Sequence, residues 1–306
     1  MKLTLVSPRG FCAGVERAIK IVELALQKFG APVYVKHAIV HNDHVLKRLE
    51  KLGAIFVEEI AEVPQGSVLI YSAHGVAQEV YLQSQSKGLI EIDATCSLVT
   101  RIHSAVRRYQ NKGYQIILIG YRNHVEVQGT YGWAKENTTI VENLMDVERL
   151  QLDQKRPIFM TSQTTLSLID IEDITQAIKN KYPHVETLPK GSICYATTNR
   201  QMALWNALDE ADCVIVVGDQ KSSNSKKLYE LGLKKGVHSY LISDASQLDL
   251  SLIRDKTSVV LTAGASTPDN VTENVIKKIS EIENCHINEY IDQFEDVHFA
   301  LPSIVV

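Results

Sequence analysis

The sequence predicts an α/β protein with three α/β lobes related by pseudo-threefold symmetry, a trefoil, with parallel sheets around a central cleft. Two observations lead to this prediction. Strand-like apolar runs alternate with helix-patterned stretches along most of the 306 residues, which is typical of parallel sheets covered by helices on both faces. In addition, a cysteine followed by two polar loops occurs three times in the same order, as a repeated structural unit would produce.

The first predicted lobe comprises residues 1–95. Its apolar side chains recur every three to four residues after Cys12, which predicts a helix that ends at Gly30. The remaining elements follow from short apolar runs and from a second helical period. They are a helix over 13–29, a strand over 32–35, a helix over 42–52, and strands over 67–72 and 90–93.

The other two lobes are predicted to comprise residues 96–193 and 194–282. The second contains helices over 97–111 and 168–180, strands over 114–119 and 157–160, and a helix that starts near Gln128. The third contains helices over 198–209, 226–235 and 268–282, and strands over 212–217 and 258–261. Residues 283–306 fall outside the repeat, and their last ten residues are predicted to close the structure as a strand.

Composition excludes several classes of protein. The formal net charge of −4 argues against a general nucleic-acid-binding surface. No apolar run is long enough to span a bilayer, and the N-terminal apolar run is too short for a secretion signal. We therefore expect a cytoplasmic protein that is not bound to a membrane. An odd number of cysteines, five, does not indicate a disulfide framework.

Three cysteines occupy equivalent places in the repeat, each just before a helix-patterned stretch: Cys12, Cys96 and Cys194. Thiolates favour iron–sulfur clusters, zinc or copper(I), and without a Cys-x-x-Cys pair a zinc ribbon is a poor fit. Three thiolates can hold a four-iron cluster and leave its fourth iron open. A single cysteine is more often a small core residue, which is our interpretation of Cys213, whereas Cys285 lies in the charged tail.

Two polar loops follow each cysteine, and they are rich in hydrogen-bond donors. The candidate ligand-binding residues are His41, His74, His124, Thr164, Ser222, Ser223, Asn224 and Ser266. Helices that begin after these loops add backbone N–H groups, so the combination favours a phosphate or diphosphate anion. Each serine or asparagine could instead be a helix N-cap, and the three histidines could hold zinc, although their spacing does not require it.

Glu126 is the carboxylate closest to His124 in the chain, within a segment predicted to be a loop at the pocket. A carboxyl group in a closed, partly apolar cleft has a raised pKa and can serve as an acid. Thr164 could relay a proton or hold a substrate hydroxyl. The alternatives are structural: Glu126 in the first turn of a helix and Thr164 as an N-cap.

Several motifs together resemble the 4-hydroxy-3-methylbut-2-enyl diphosphate reductases, the LytB/IspH family. The resemblance extends from residue 3 to about residue 282. The motifs are Pro8-Arg-Gly-Phe-Cys-Ala-Gly-Val15, Ser72-Ala-His-Gly-Val76, Asp93-Ala-Thr-Cys96, Gln163-Thr-Thr-Leu-Ser167, Ile193-Cys-Tyr-Ala-Thr-Thr-Asn-Arg-Gln201, Ser222-Ser-Asn-Ser225 and Thr262-Ala-Gly-Ala-Ser266.

The resemblance implies a trefoil around one [4Fe-4S] cluster per chain, with Cys12, Cys96 and Cys194 as its ligands. It implies the reductive removal of the allylic hydroxyl as water, giving isopentenyl and dimethylallyl diphosphate in the methylerythritol phosphate pathway. Electrons would come from a flavodoxin or a ferredoxin. The implied diphosphate-binding residues are His41, His74, His124, Ser222, Ser223, Asn224 and Ser266, and Glu126 with Thr164 would deliver the proton.

The sequence departs from the family pattern at two positions. The family usually has proline between the equivalents of His124 and Glu126, and here that residue is Val125. Ser97 likewise replaces the proline that usually follows the equivalent of Cys96. Because proline restricts the backbone angle φ, its loss predicts a less preset loop around Glu126.

Two rival functions remain open at this stage. A cluster enzyme acting only as a Lewis acid, such as a hydro-lyase or a quinolinate synthase-like condensing enzyme, would handle carboxylates and call for an arginine-rich pocket, whereas Arg122 is the one arginine in these loops. A non-catalytic protein that binds a phosphorylated ligand or senses iron would not need Glu126 beside His124.

Overall fold

The computed structural model describes residues 1–306 and contains three parallel sheets, which confirms the predicted fold class. The strands are β1 Lys2–Ser7, β2 Val33–Lys36, β3 Ala54–Val57, β4 Val68–Tyr71, β5 Ile90–Asp93, β6 Gln115–Ile119, β7 Thr138–Val141, β8 Ile158–Ser162, β9 Glu186–Thr187, β10 Cys213–Val217, β11 His238–Ile242, β12 Ser258–Ala263 and β13 His286–Ile291.

Ten α-helices cover these sheets. They are α1 Ala13–Phe29, α2 Asp43–Lys51, α3 Gln78–Ser86, α4 Ser97–Asn111, α5 Val125–Tyr131, α6 Leu144–Arg149, α7 Leu168–Lys181, α8 Tyr195–Ala207, α9 Ser223–Lys234 and α10 Asp269–Ser280. No helix is both long and apolar enough to cross a bilayer.

The three sheets share one strand order. They run β3-β2-β4-β5, β7-β6-β8-β9 and β11-β10-β12-β1-β13, and all the pairings are parallel. In each sheet an outer strand is followed by two strands that lead into polar loops and then by a strand that leads into a cysteine. The polar residues therefore leave the carboxyl ends of neighbouring strands, where ligands bind in parallel sheets.

The sheet that contains Cys12 is completed by the start of the chain. Strand β1, for which the sequence analysis predicted no strand, pairs with β12 in the register Lys2↔Ser258. Cys12 therefore shares a sheet with the loops of Ser222 and Ser266, whereas β5, which precedes Cys96, shares a sheet with β2 and β4. Each cysteine is thus grouped with the two polar loops that lie on its own sheet, and these precede Cys96 and Cys194 in the chain.

The core of the five-stranded sheet shows why β10 forms a central strand. All five of its residues are buried, and alternate side chains face opposite layers. Ile215 and Val217 belong to the apolar cluster that includes Val271 and Val275 of α10, whereas Val214 belongs to the cluster that includes residues of α8 and α9. A continuous apolar run is what burial on both faces of a parallel strand requires.

Four sequence predictions need correction. Helices α5, α8 and α9 begin about three residues earlier than predicted, at Val125, Tyr195 and Ser223, because first-turn residues had been assigned to loops. Residues 297–306 form no strand. The tail instead contributes β13, which pairs with β1 in the register Lys2↔His286.

The chain forms two compact units, each made of several segments. One comprises Met1–Glu16, His41–Val45 and Tyr195–His298, and it includes the five-stranded sheet. The other comprises Arg17–Val40, Leu46–Cys194 and Phe299–Val306, and it includes both four-stranded sheets. The division into lobes at residues 96, 194 and 283 stays a prediction.

Cys213 provides a test of this core assignment. Its side chain is fully buried within β10, and burial raises the pKa of its thiol to about 11. Cys213→Ser places a hydroxyl in an apolar cluster, so we expect the free energy of unfolding to fall by about 1–3 kcal/mol. Urea denaturation measures the change.

The matched control is Cys285→Ser, which alters a half-buried cysteine outside the strands and helices. Its expected change in unfolding free energy is within about 0.5 kcal/mol. Equal losses in the two variants would contradict the placement of Cys213 in the core.

Candidate functional site

The three repeated cysteines lie in the same local setting. Cys12, Cys96 and Cys194 come immediately before α1, α4 and α8, and each is half-buried. Cys96 is the N-cap of α4, with φ −57° and ψ 135°. A helix N-terminus stabilises a thiolate, the form in which cysteine binds metals. All five cysteines of the chain carry thiols rather than disulfides.

One backbone hydrogen bond recurs at all three cysteines. The N–H of Cys12 donates to the carbonyl of Ala265 over 3.2 Å, that of Cys96 to Ala73 over 3.0 Å, and that of Cys194 to Thr164 over 3.1 Å. Ala265 and Ala73 directly precede the candidate residues Ser266 and His74, and Thr164 is itself a candidate. Each cysteine is therefore fixed to the polar loop of the neighbouring strand in its own sheet.

The three thiols could be ligands of a metal centre. No group of three or more His, Cys, Asp or Glu side chains is arranged to hold one metal ion, and this applies to the cysteines as well as to the histidines. In a cluster each thiolate binds a different iron, and the ligands need not converge on one point. Half-buried thiols at helix N-termini fit that requirement.

The five-stranded sheet positions a set of buried hydrogen-bond donors. Ser222 is the N-cap of α9 and accepts from the N–H of Ser225 over 3.3 Å. Asn224 Oδ1 accepts from the N–H of Ala265 over 2.8 Å, whereas its amide nitrogen is buried without an acceptor. With Ser223, these residues lie at the first turn of a helix, where hydroxyl, amide and backbone N–H groups are able to bind an anion.

Ser266 and the backbone of His41 lie next to these residues. The hydroxyl of Ser266 donates to the carbonyl of His41 over 3.0 Å and lies 3.5 Å from the Ser222 hydroxyl. The next residue, Asn42, is buried, and its side chain accepts from the N–H of His44 and begins α2. The structure therefore brings His41, Ser222 and Ser266 together, although they come from three separate parts of the chain.

The other compact unit brings together two histidines. His124 is the N-cap of α5, and its Nδ1 accepts from the N–H of Glu126 over 3.2 Å. The proton of the neutral ring is therefore on Nε2, which can donate to an anion. The ring of His74 stands edge-on to that of His124, with the ring centroids 6.0 Å apart. Ser72 Oγ lies 3.4 Å from Nδ1 of His74.

Glu126 and Thr164 form a buried pair. The Glu126 carboxylate accepts from the N–H of Thr164 over 2.6 Å and from its hydroxyl over 2.9 Å. Burial raises the pKa of Glu126 to about 7, against the opposite effect of these two hydrogen bonds. A group with this pKa is an efficient proton donor near neutral pH. Glu126 lies in the first turn of α5, so the alternative interpretation of it as a first-turn helix residue is also correct.

Helix α5 packs closely against the loop that contains His74. A Cβ added at Gly129 would lie 3.0 Å from the carbonyl oxygen of Gly75, and one added at Gly132 would lie 2.1 Å from the Cβ of Ala77. The indole N–H of Trp133 donates to the carbonyl of Val76 over 3.0 Å. These positioning residues were not predicted from the sequence. The glycine directly after His74 was the one visible signal of this close packing.

The two positions where proline was expected keep the geometry that proline imposes. Val125 and Ser97 are the first residues of α5 and α4. The preceding residues, His124 and Cys96, are extended, with ψ 135° in both cases, which is the conformation required before proline. The predicted loosening around Glu126 is therefore opposed by the His124 cap and by the two bonds from Thr164.

A protein-family model and curated relatives match nearly the whole chain. The family described as LytB protein matches residues 3–280. The 4-hydroxy-3-methylbut-2-enyl diphosphate reductase of Protochlamydia amoebophila is 54% identical over 306 residues, which is 100% of this chain and 98% of the relative. The protein of the same name from Chlamydia pneumoniae is 50% identical over 98% of this chain and 97% of its own length.

Two solved structures are also similar. The E-1-hydroxy-2-methyl-but-2-enyl-4-diphosphate reductase from Plasmodium falciparum is 46% identical, with a TM-score of 0.97 over 99% of this chain and 96% of that one. A structure of (E)-4-hydroxy-3-methyl-but-2-enyl diphosphate reductase, the terminal enzyme of the non-mevalonate pathway, is 32% identical, with a TM-score of 0.66 over 92% of this chain and 99% of that one.

The start of α5 makes a testable prediction. The first N–H of a helix has no acceptor within the helix, and His124 already has the conformation that a following proline needs. We therefore expect Val125→Pro to raise the free energy of unfolding by about 0.4–1 kcal/mol, by restricting the unfolded chain. Thermal and urea denaturation measure it.

Gln128→Pro, three residues further on, is the matched control. The N–H of Gln128 donates to the carbonyl of His124 over 3.0 Å, so this variant should lose about 3 kcal/mol. If Val125→Pro were destabilised as much as Gln128→Pro, the described start of α5 would be wrong.

Proposed function

This chain belongs to the LytB protein family, and from that premise we infer that it is a 4-hydroxy-3-methylbut-2-enyl diphosphate reductase, an oxidoreductase of the non-mevalonate route to isoprenoids. The substrate would lose its allylic hydroxyl as water, and the products would be isopentenyl and dimethylallyl diphosphate. Two electrons and two protons enter for each C–O bond that is replaced by a C–H bond.

We propose that Cys12, Cys96 and Cys194 hold one [4Fe-4S] cluster. The proposal is supported by their equivalent settings before helices and by the recurring backbone hydrogen bond at each cysteine. When bound, the cluster would supply electrons and one iron without a thiolate ligand. Cys213 is excluded because its side chain is fully buried within the apolar core of the five-stranded sheet.

The diphosphate group would bind to the hydrogen-bond donors that the family resemblance implies. Ser222, Ser223 and Asn224 would supply hydroxyl and amide groups at the N-terminus of α9, and Ser266 and His41 would add a hydroxyl and an imidazole. His74 and His124 supply two more imidazoles. Hydroxyl and amide donors at a helix N-terminus suit a multiply charged anion, because they donate hydrogen bonds to it and the positive end of the helix dipole attracts it.

The observation that carries the proposal is the link between Glu126, Thr164 and Cys194. Thr164 donates two hydrogen bonds to Glu126, and its carbonyl accepts from the N–H of Cys194. The candidate proton donor and a candidate cluster ligand are therefore joined by one residue. Glu126 would give its proton to the leaving hydroxyl, with the Thr164 hydroxyl orienting that oxygen or relaying the proton.

The electron donor is a further part of the proposal. The reaction consumes two electrons that no side chain of this protein can supply, so a separate redox protein of the flavodoxin or ferredoxin type would deliver them. We place this exchange in the cytoplasm, where proteins of that kind maintain reducing power.

The proposed function is tested by anaerobic turnover with dithionite and the diphosphate substrate. We expect both isopentenyl and dimethylallyl diphosphate to form with the wild-type protein. Cys194→Ser should lose iron and activity, whereas Cys213→Ser should keep its iron. A fully reconstituted wild-type protein that binds the substrate but forms neither product would contradict the proposal.

Glu126 predicts a specific pH dependence. Its raised pKa of about 7 means that the proton-bearing form predominates below pH 7 and is lost above it. Turnover should therefore fall as the pH rises through about 7. In Glu126→Gln, turnover should fall by about 10²–10⁴-fold and this pH dependence should disappear.

The controls separate proton transfer from binding. Thr164→Ser keeps the hydroxyl and should keep most of the activity, whereas Thr164→Val loses it. Substrate affinity should change little in Glu126→Gln, which isothermal calorimetry can measure. A Glu126→Gln enzyme with unchanged turnover would rule out the proton role of this carboxyl group.

A further inference from the structure

We propose that the ion pair between the buried Arg200 and the partly buried Glu295 is a positioning device for Cys12, operated by the C-terminal segment of the chain. Glu295 follows β13 in a stretch without regular structure, and Arg200 lies in α8. The electrochemical part of this inference rests on the proposed function, because it assumes that Cys12 binds the cluster. The positioning part concerns the polypeptide alone.

Arg200 is one of the largest fully buried side chains, with 1% of its surface exposed. Its Nη1 donates to both carboxylate oxygens of Glu295, over 3.0 and 3.1 Å. Its Nη2 donates to the carbonyls of Gly10 and Phe11, over 3.0 and 3.4 Å. The guanidinium therefore joins the tail to the two peptide groups that immediately precede Cys12.

The loop before Cys12 is held from both sides. On the side of β12, the N–H of Gly10 donates to the carbonyl of Ala263 and the N–H of Cys12 to that of Ala265, over 3.3 and 3.2 Å. On the side of α8, the Arg200 side chain donates hydrogen bonds to the carbonyl groups of the loop. Gly10 has φ +72°, and a Cβ there would lie 2.8 Å from the Asp269 carboxylate, so this loop has little room to relax.

Glu295 makes this arrangement possible, because a buried cation without a counter-charge is strongly destabilising. Its carboxylate also accepts from the side-chain amide of Asn199 over 2.9 Å. With Glu295 in place, the pair adds no net charge near Cys12. Without the negative charge of Glu295, Arg200 remains protonated, and its positive charge lies beside the loop that precedes the proposed cluster ligand.

The pair therefore has two separable effects, one of position and one of charge. Arg200→Lys keeps the charge but loses the planar fork that spans the Gly10 and Phe11 carbonyls. Glu295→Gln removes the negative charge, so it changes the net charge and also weakens the hold on Arg200. The double variant with glutamine at both positions removes the net charge and also the fork.

The first experiment uses the full-length apoprotein and does not depend on a cluster. Hydrogen exchange of the Gly10 and Cys12 amides, and the alkylation rate of the Cys12 thiol, are followed by mass spectrometry. In Arg200→Lys and Glu295→Gln we expect both rates to rise about ten-fold, since the loop opens more often. Thermal unfolding verifies that each variant is folded.

Glu289→Gln is the matched control for these rates. Glu289 lies in β13 and pairs with Arg9 at 3.0 Å, but its side chain is about half exposed, so both rates should stay within about two-fold of the wild type. Unchanged rates in Arg200→Lys and Glu295→Gln, or an equal rise in Glu289→Gln, would overturn the positioning role.

The second experiment measures the midpoint reduction potential of the reconstituted protein by spectroelectrochemistry. An uncompensated positive charge favours the more negative, reduced cluster. Glu295→Gln should therefore raise the potential, with about a ten-fold change in the reduction equilibrium, or 59 mV for one electron. Arg200→Lys and the double glutamine variant should stay near the wild-type potential while losing iron faster to a chelator.

The outcomes distinguish the two proposals. Equal potentials in Glu295→Gln and Arg200→Lys would overturn the charge effect while leaving the reductase function intact. If no variant binds a cluster, the proposed function fails, and the apoprotein rates still decide whether Arg200 and Glu295 position Cys12. If Glu295→Gln does not fold, the double glutamine variant provides the rate measurement without a buried unpaired charge.

Discussion

The arrangement of the site depends on one recurring interaction, the hydrogen bond from each cysteine N–H to a carbonyl in the polar loop of the neighbouring strand. Parallel strands end at one edge of a sheet, so their following loops lie side by side. The bond fixes the backbone of Cys12, Cys96 and Cys194 to that edge. The helix that follows each cysteine begins at the next residue.

Around these fixed cysteines, the protein uses burial differently on each sheet. On the five-stranded sheet, buried hydroxyl and amide donors at the start of α9 suit an anion without any titrating group. On the sheet of β6 and β8, burial raises the pKa of Glu126, and Thr164 keeps the carboxyl oriented. In the proposed function, anion binding would use the donors at the start of α9 together with the histidines, and proton transfer would use Glu126 with Thr164.

Much of the fold could be predicted because its central elements have strong periodic patterns. Helices α1 and α4 and strand β5 begin and end at the predicted residues. Edge strands were missed more often than central ones, because they contain more exposed residues and so have weaker apolar patterns. The missed edge strands are β3, β7, β9, β11 and β13. Strand β1 was missed as well, and with it the fact that Cys12 lies on the sheet of β10 and β12.

The site was predictable in its residue types but not in its contacts. Polar residues such as His124 and Ser223 were assigned to loops. An N-cap for Ser222 and a first-turn position for Glu126 were given only as alternatives, and the structure confirms both. The pairing of Glu126 with Thr164 and the burial of Arg200 against Glu295 join distant parts of the chain. No local pattern encodes such contacts, and the tail appeared to carry no chemistry.

The central claim is that Cys12, Cys96 and Cys194 together ligate one cluster and leave one iron without a thiolate. Mössbauer spectroscopy of protein reconstituted anaerobically with isotopically enriched iron tests this claim most directly. We predict about four irons per chain, one of them distinct from the other three and altered when the diphosphate substrate is added. Four equivalent irons, an unchanged spectrum on substrate addition, or a protein that binds no iron would contradict the account.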